Sequence, residues 1–246
     1  MAGTTLLRGL TWQIGTVVAV IDETARVRTI VLDVPGWPGH RAGQHLDVRL
    51  TAEDGYRAER QYSIASAPGE PVAITVERLE NGEVSPYLTQ ELRTGDQLEL
   101  RGPIGGYFVW DPGDGGPLFL AAGGSGIVPL MAILRHRRTT RSDVPARLLY
   151  SSRSEKDVIY RTELGEPIGG VEIVHTFTRE QPPGWRGYSR RVDAELLAEV
   201  AWPSRERPLS FVCGPTSFVE AVARGLVELG YAPARVKTER FGATGG

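Results

Sequence analysis

A length of 246 residues suits one large domain or two of ordinary size and is ample for a sizeable core. Hydrophobic residues make up 41% of the chain, charged residues make up 24%, and the net charge is −2, so nothing favours a nucleic acid or an anionic membrane as a partner. The single cysteine, Cys213, excludes an internal disulfide, a Cys-ligated iron–sulfur cluster and a structural zinc site within this sequence.

The N-terminal stretch, residues 1–15, lacks the sustained apolar core and the small-residue cleavage pattern of a signal peptide. No run approaches the roughly 18 apolar residues that a membrane span requires. The histidines, at positions 40, 45, 136 and 175, show no metal-ligand spacing. We therefore expect a cytoplasmic protein with no membrane span and no metal site.

Short β-rich runs separated by turn residues occupy the first half of the chain. They cover residues 13–21, 27–34, 45–50, 57–65, 72–78 and 97–100. Several short strands at this spacing predict an antiparallel sandwich or barrel. Residues 84–92 (VSPYLTQEL) break the pattern, because their apolar side chains recur at helical spacing and Ser85 is able to cap the start. We predict a short helix there.

Two stretches of this half carry candidate binding groups. On a strand over residues 60–63 (RQYS), Arg60 and Tyr62 share one face. Arginine offers a fork for phosphate oxygens, and tyrosine offers a flat face for stacking. Gly82 and the helix start at Ser85 form a second candidate anion site. The alternatives are an ordinary exposed strand and a capped helix without a ligand.

Residues 111–117 (DPGDGGP) predict a domain boundary, which divides the chain into 1–113 and 114–246. Beyond it strands and helices alternate, a pattern that predicts right-handed βαβ units and a parallel sheet. A long last helix is predicted to begin with a capping box formed by Ser217 and Glu220. The predicted strands cover residues 118–122, 146–151, 171–177, 209–213 and 235–239, and the other predicted helices cover 127–137, 157–164 and 194–200.

A turn at residues 123–126 (GGSG) joins a buried apolar strand to a helix with Pro129 in its first turn. A turn with few side chains lets a phosphorylated ligand reach free N–H groups at the positive end of the helix dipole. A tight βα turn without a ligand is the alternative. Three further strand ends, at residues 151–153, 178–179 and 213–215, belong to the same edge of the predicted sheet and converge on one ligand site.

The order of these motifs resembles that of the ferredoxin–NADP reductase superfamily, with RQYS and G-x-V-S in a β-rich first half, then GGSGIVP and CGP in an α/β second half. The resemblance runs over residues 11–241, nearly the whole chain. It implies two domains: an antiparallel, FAD-binding β-barrel over residues 1–113, and an α/β, parallel-sheet, Rossmann-like NAD(P)-binding domain over residues 114–246.

For the flavin, the resemblance implies that Arg60 clamps the FAD pyrophosphate, Tyr62 stacks on the isoalloxazine, and Ser63 hydrogen-bonds near N5. It also implies that Val76, Glu77 and Arg78 contact the ribityl and adenine side of the flavin. Gly82, Val84 and Ser85 are implied to bind the flavin pyrophosphate, which favours FAD over FMN.

For the nicotinamide dinucleotide, the resemblance implies a pyrophosphate turn and a segment beside the nicotinamide. The turn consists of Gly123, Gly124, Ser125, Gly126 and Pro129, and the segment of Cys213, Gly214 and Pro215. Cys213 is expected to orient the hydride path and is not assigned as a nucleophile. The alternative is a buried, small apolar residue at a strand end.

Glu239 and Phe241 resemble a C-terminal segment that lies over the flavin in bacterial members, although GATGG follows Phe241 here. The alternative is a final strand followed by a tail. The candidate catalytic residues are therefore Tyr62, Ser63, Cys213, Glu239 and Phe241.

The adenosine end favours NADPH, because an arginine near this position suits a 2′-phosphate. Ser152 and Arg153 follow one strand, and Thr178 and Arg179 begin a stretch close to the Ser-Arg-Glu-Gln run of NADP-specific members, with Arg190 downstream. NADH is the alternative, since Arg153 also resembles a position of NADH-using relatives.

Together these implications describe an FAD-dependent NADPH oxidoreductase that moves hydride from NADPH to the flavin N5 and passes electrons on. With one cysteine, the sequence is expected to have no fused ferredoxin domain. We therefore expect a separate electron-acceptor protein, a ferredoxin or an oxygenase component. The alternatives are a reductase of free flavin or other small acceptors and a non-enzymatic nucleotide-binding subunit.

Overall fold

The computed structural model describes residues 10–241. The expectations for residues 1–9 and for the GATGG tail at 242–246 lie outside these residues. In the described part of the chain, no helix is long and apolar enough to cross a membrane. An antiparallel sheet comes first along the chain and a parallel sheet follows.

The first part contains the strands β1 (Trp12–Thr24), β2 (Val27–Asp33), β3 (His45–Thr51), β4 (Arg57–Ser63), β5 (Val72–Glu77) and β6 (Gln97–Ile104). They form one antiparallel sheet in the order β4-β3-β6-β1-β2-β5. A bridge between Ile64, just after β4, and Ile74 of β5 joins the two edges, so the sheet closes. The predicted antiparallel barrel is confirmed.

Side chains from the inner face of each strand fill the barrel. Ile30 and Leu32 of β2 and Leu46 and Val48 of β3 are fully buried there. A segment after β5 adds Leu88 and Leu92 to the same core.

A short helix is present within residues 84–92, as predicted, but the predicted cap is wrong. The segment forms a π-helical turn, Tyr87–Glu91, in which the N–H of Leu92 donates to the carbonyl of Tyr87 at 3.0 Å. Ser85 does not cap it, because its Oγ accepts a hydrogen bond from the N–H of Leu79 at 3.0 Å. The apolar residues at helical spacing, among them Leu88 and Leu92, are the ones whose side chains pack in the barrel core.

The second part contains the strands β7 (Leu118–Gly123), β8 (Ala146–Ser152), β9 (Val171–Phe177), β10 (Leu209–Gly214) and β11 (Val236–Arg240), with the helices α1 (Ile127–Thr139), α2 (Arg161–Gly165), α3 (Ala194–Val200) and α4 (Thr216–Glu228). The strands form a parallel sheet in the order β11-β10-β7-β8-β9. Helix α1 packs on one face of the sheet, whereas α3 and α4 pack on the other. The predicted α/β domain is confirmed.

Two local predictions in this part need correction, the bounds of one helix and the cap of another. Residues 157–164 form no continuous helix, because Tyr160 adopts a left-handed conformation (φ 59°) between a 3-10 turn, Glu155–Asp157, and α2. The predicted capping box is also absent: α4 begins at Thr216, no side chain caps it, and Ser217 lies inside its first turn.

One hydrophobic core runs from the parallel sheet into the barrel. Val27, Ala65 and Ala73 of the barrel belong to the same buried cluster as Met131 and Ile133 of α1. The two parts are therefore packed against each other through apolar side chains.

Candidate functional site

The GGSG turn lies where β7 gives way to α1. Gly124–Gly126 form a 3-10 turn, and Pro129 lies in the first turn of the helix. A Cβ added at Gly126 would lie 2.0 Å from the carbonyl oxygen of Cys213, so the turn packs directly on β10. Gly124 has φ 55°, and no atom lies within 4 Å of an added Cβ there. The backbone at Gly124 is therefore open to a ligand.

The end of β10 forms the second wall of this turn. A Cβ added at Gly214 would lie 3.1 Å from the backbone of Gly123, so the two strand ends touch. Cys213 is fully buried, and burial raises the pKa of its thiol. The thiol is therefore protonated near neutral pH, which agrees with an orienting role and not with nucleophilic attack.

A hydrogen bond joins this turn to the barrel. Ser125 Oγ donates to Glu77 Oε2 at 2.8 Å, from the GGSG turn to the end of β5. The neighbouring Val76 is buried in the barrel core, so only its backbone is available to a ligand. The N–H of Arg78 donates to the carbonyl of Arg26 at 2.8 Å. Glu77 is thus the side chain of this predicted segment that faces the second domain.

Arg60 and the segment after Gly82 come together at the barrel surface. Arg60 Nη2 lies 2.5 Å from Glu83 Oε2, and Tyr56 donates its hydroxyl to Glu83 Oε1 at 2.7 Å. Both ends of the ion pair are 46% exposed. A Cβ added at Gly82 would lie 2.8 Å from Ser85 Oγ, so this turn is tightly closed. Two motifs that are 22 residues apart, counting from Arg60 to Gly82, form one surface.

Tyr62 and Ser63 lie at the C-terminal end of β4. Tyr62 pairs with Leu46 of β3 and packs on the barrel core, and burial raises the pKa of its hydroxyl. Ser63 pairs with His45 in the same ladder. Because β4 carries Arg60 as well, this strand bears a guanidinium, a ring and a hydroxyl in sequence.

Glu239 of β11 approaches this end of the barrel from the second domain. Its Oε2 lies 3.9 Å from Cys213 Sγ, and its Oε1 lies 4.0 Å from His45 Nδ1. Burial raises the pKa of Glu239 to about 7 and lowers the pKa of His45. His45 belongs to no motif, and its spacing from the other histidines indicates no metal site, so the sequence does not single it out. The available signal was its position on β3, opposite the strand that carries Ser63.

Phe241 follows β11 beside the same edge. Its N–H donates to the carbonyl of Gly214 at 3.1 Å, and its ring is partly buried against the core that links the two domains. The backbone bond fixes the residue next to the Cys213–Gly214 strand end.

The predicted adenosine-side residues fall into two groups. The N–H of Thr178 donates to the carbonyl of Ser152, and the N–H of Arg179 donates to the carbonyl of Arg153, both at 2.9 Å. These two strand ends therefore lie side by side. Arg190 is engaged elsewhere, because it pairs with carboxylates of and next to α3, namely Asp193, Glu195 and Glu199. It can reach a phosphate only by leaving them.

The sequence matches two protein families over consecutive stretches. Residues 16–109 match the oxidoreductase FAD-binding domain, and residues 120–224 match the oxidoreductase NAD-binding domain. The first stretch contains β2 to β6 and most of β1, and the second contains the GGSG turn and the Cys213 strand end.

Similar proteins cover most of the chain. Ferredoxin–NADP reductase B of Sorangium cellulosum is 36% identical over 211 residues, which cover 81% of this chain and 84% of that protein. The glycine betaine monooxygenase reductase subunit of Chromohalobacter salexigens is 33% identical over 237 residues, 92% of this chain, but this chain spans only 63% of that protein. Among solved structures, the flavohem-like FAD/NAD binding domain of nitric oxide dioxygenase from Vibrio cholerae has a TM-score of 0.83 and 27% identity, covering 94% of this chain and 98% of that chain.

Proposed function

This chain belongs to the ferredoxin–NADP reductase family of flavin-dependent oxidoreductases, and we propose that it is an FAD-dependent NADPH oxidoreductase that delivers electrons to a separate acceptor. The observation that carries the proposal is the hydrogen bond from Ser125 to Glu77. It joins the proposed dinucleotide turn to the proposed flavin strand. Hydride transfer needs the two cofactors in contact, with the reacting atoms about 3–3.5 Å apart.

Arg60, Gly82 and Ser85 are the residues proposed to hold the FAD pyrophosphate. Arg60 fits this role because its guanidinium already reaches Glu83, which lies between the other two. A half-exposed ion pair contributes little net stability, so the guanidinium can exchange a carboxylate for a phosphate. An arginine fork binds phosphate oxygens with two parallel hydrogen bonds.

FAD, when bound, supplies the hydride-accepting and electron-releasing chemistry, and the chain's own residues bind and orient. We assign stacking on the ring to Tyr62 and a hydrogen bond near N5 to Ser63. Burial raises the pKa of both Cys213 and Glu239. Near neutral pH the proposed hydride path is therefore lined by a neutral thiol and by a carboxyl group that still carries its proton part of the time. Phe241 is proposed to cover the ring from the side of β11.

NADPH is the proposed nucleotide, held at its pyrophosphate by residues 123–126 and at its adenosine end by Arg153 and Arg179. The backbone bond between these two arginines supports the assignment, because it brings two guanidinium-bearing loops together. Two such groups suit a 2′-phosphate.

An electron-acceptor protein is the proposed partner, either a ferredoxin or an oxygenase component. The relatives support it, since one is named a monooxygenase reductase subunit and another a ferredoxin–NADP reductase. A reductase of free flavin would release its flavin between turnovers, and this difference can be measured.

The test is an absorption spectrum of the purified protein followed by anaerobic titration with NADPH and, separately, with NADH. We expect retained flavin bands that bleach faster with NADPH. The variant R60A should weaken FAD binding about tenfold or more, whereas R57A, on the same strand, should not. A colourless protein that does not take up added FAD would overturn the retained-flavin proposal, and faster bleaching with NADH would overturn the nucleotide preference.

A further inference from the structure

A buried tyrosine of the nucleotide-binding domain docks into the barrel on the side of β2 and β5. Tyr160 is only 4% exposed. Its hydroxyl oxygen lies 2.5 Å from Thr75 Oγ1 of β5, and its N–H donates to Glu23 Oε2 of β1 at 3.2 Å. We call Tyr160, Thr75, Thr29 and Glu23 the Tyr160 latch.

The barrel side of the latch is a closed chain of hydrogen bonds. Thr75 Oγ1 lies 2.8 Å from Thr29 Oγ1, and Thr29 donates to Glu23 Oε1 at 2.7 Å. Glu23 thus accepts from Thr29 with one oxygen and from the Tyr160 backbone with the other. The hydroxyl and the backbone N–H of Tyr160 thus each have a hydrogen-bond partner in the barrel, which makes the position of this residue specific.

Tyr160 is also held in a backbone conformation that a bulky residue rarely adopts. Its φ is 59°, and such strain persists only where the surroundings determine it. The guanidinium of Arg135 lies 4.5 Å from the centre of its ring, and the same arginine donates to the carbonyl of Ala65 at 2.7 Å and pairs with Glu163. Contacts from both domains therefore fix the ring as well as the hydroxyl.

The latch acts on the same barrel strand that meets the GGSG turn. Thr75 and Glu77 are two residues apart on β5, so they share one face of the strand. Thr75 contacts Tyr160, and Glu77 accepts from Ser125. The nucleotide-binding domain thus contacts one face of β5 at two positions, so a displacement at Thr75 is expected to displace the contact at Glu77.

We infer that Tyr160 is a positioning residue, which sets the register of the nucleotide-binding domain along β5 and thereby the distance between nicotinamide and flavin. This inference rests on the proposed function for its catalytic consequence. Its structural consequence, that the latch holds the GGSG turn against Glu77, does not depend on that function. Burial raises the pKa of Tyr160 to about 12, so its hydroxyl keeps its proton throughout the physiological range.

The kinetic test compares Y160F, T75V and the double variant by anaerobic stopped-flow with saturating nucleotide. Each single variant should lower the limiting rate of flavin bleaching about tenfold, because small displacements of reacting atoms are costly. Apparent nucleotide affinity and FAD content should stay within about twofold of the wild type. The double variant should be no slower than T75V, since T75V already removes the hydrogen bond to Tyr160 together with the one to Thr29. T75S, which keeps a hydroxyl, should restore the rate.

The matched control is Y231F. Tyr231 is also a buried tyrosine, but its hydroxyl donates to the carbonyl of Trp202 inside the nucleotide-binding domain, at 2.6 Å. Y231F should lose as much free energy of unfolding as Y160F and keep the wild-type limiting rate of flavin bleaching. Wild-type rates in Y160F and T75V, or equal slowing in Y231F, would overturn the inference.

A second readout is independent of turnover. Hydrogen exchange of the amides in the GGSG turn and in α2 should accelerate about tenfold in Y160F and not in Y231F, because the latch restrains both segments. Unchanged exchange in Y160F would overturn the inference even if the rate fell. If neither nucleotide bleaches the wild-type protein, the proposed function fails while the exchange experiment still decides the latch.

Discussion

At the scale of single residues, Glu239 carries the charge that the fold controls most strongly around the site. Burial raises its pKa from 4.5 to about 7. His45, which faces it at 4.0 Å, does not compensate, because burial lowers the pKa of that imidazole. The thiol of Cys213 faces its other oxygen. The folded chain therefore favours the protonated carboxyl group, which links folding to pH.

We predict that replacing this group by an amide, E239Q, removes a pH-dependent loss of stability. Because the pKa of Glu239 is raised in the folded state, its protonated carboxyl group stabilises the folded chain. This stabilisation is complete below pH 4.5 and is lost as the pH rises through about 7. Across this pH range the free energy of unfolding of the wild type should fall by about 3 kcal/mol more than that of E239Q. Urea unfolding of both flavin-free proteins between about pH 4.5 and pH 8 measures it.

E220Q is the control for this comparison, because Glu220 is exposed on α4. Its unfolding free energy should follow that of the wild type across the range. Parallel profiles for the wild type and E239Q would show that the carboxyl group titrates equally in the folded and unfolded chains.

The sequence predicts site residues whose chemistry depends on local spacing and misses those that depend on register. Arg60 and the GGSG turn stand out as short motifs, and their proposed binding roles stay predictions. His45 becomes relevant only because β3 pairs with β4 opposite Ser63. Tyr160 meets Thr75 across 85 residues of sequence and through a left-handed backbone, and no local pattern encodes either fact.

At the scale of elements, prediction succeeds where burial and periodicity agree. Every residue of β7 is buried, so its continuous apolar run correctly predicts a strand of a parallel sheet. Prediction fails where a distant group decides the hydrogen bonding. Ser85 bonds to the N–H of Leu79 and not to the helix start, and Tyr160 interrupts the helix predicted over 157–164. The strand order of the barrel, in which β1 pairs with β6, is likewise a non-local property.

Gly124 and Gly126 of the GGSG turn should respond differently to alanine. G126A places a Cβ 2.0 Å from the carbonyl oxygen of Cys213, so the turn must move off β10, at a cost of about 2–3 kcal/mol in unfolding free energy. G124A meets no atom within 4 Å, and only its φ of 55° is strained, which costs about 1 kcal/mol. Its Cβ points into the space proposed for the pyrophosphate, so nucleotide affinity should fall further than stability.

Urea unfolding and nucleotide titration of both variants separate the two effects. G113A is the control, because the nearest atom to its added Cβ is 3.8 Å away and the residue lies outside the turn. Wild-type nucleotide affinity in G124A would contradict the proposed pyrophosphate position.

At the scale of the whole molecule, a shared hydrophobic core links the two domains. Barrel residues such as Val27 and Ala73 pack in the same cluster as α1 and the parallel sheet, and the Tyr160 latch adds polar contacts across the same interface. Exposing either side would leave this apolar surface in water, at roughly 25 cal/mol per Å². We therefore expect the domains to unfold together.

A ligand of the barrel should accordingly raise the thermal midpoint of the entire chain. At about 100 times its Kd, FAD stabilises the folded state by about 2.7 kcal/mol, which corresponds to roughly 5–10 °C for a chain of this size. FMN should raise the midpoint less at equal concentration, because it lacks the pyrophosphate that Arg60 is proposed to bind. In R60A the rises produced by FAD and by FMN should be closer to each other. Differential scanning calorimetry measures both quantities. Two separate transitions, of which FAD moves only one, would show that the shared core does not couple the domains, and equal shifts with FAD and FMN would remove the pyrophosphate from the proposed role of Arg60.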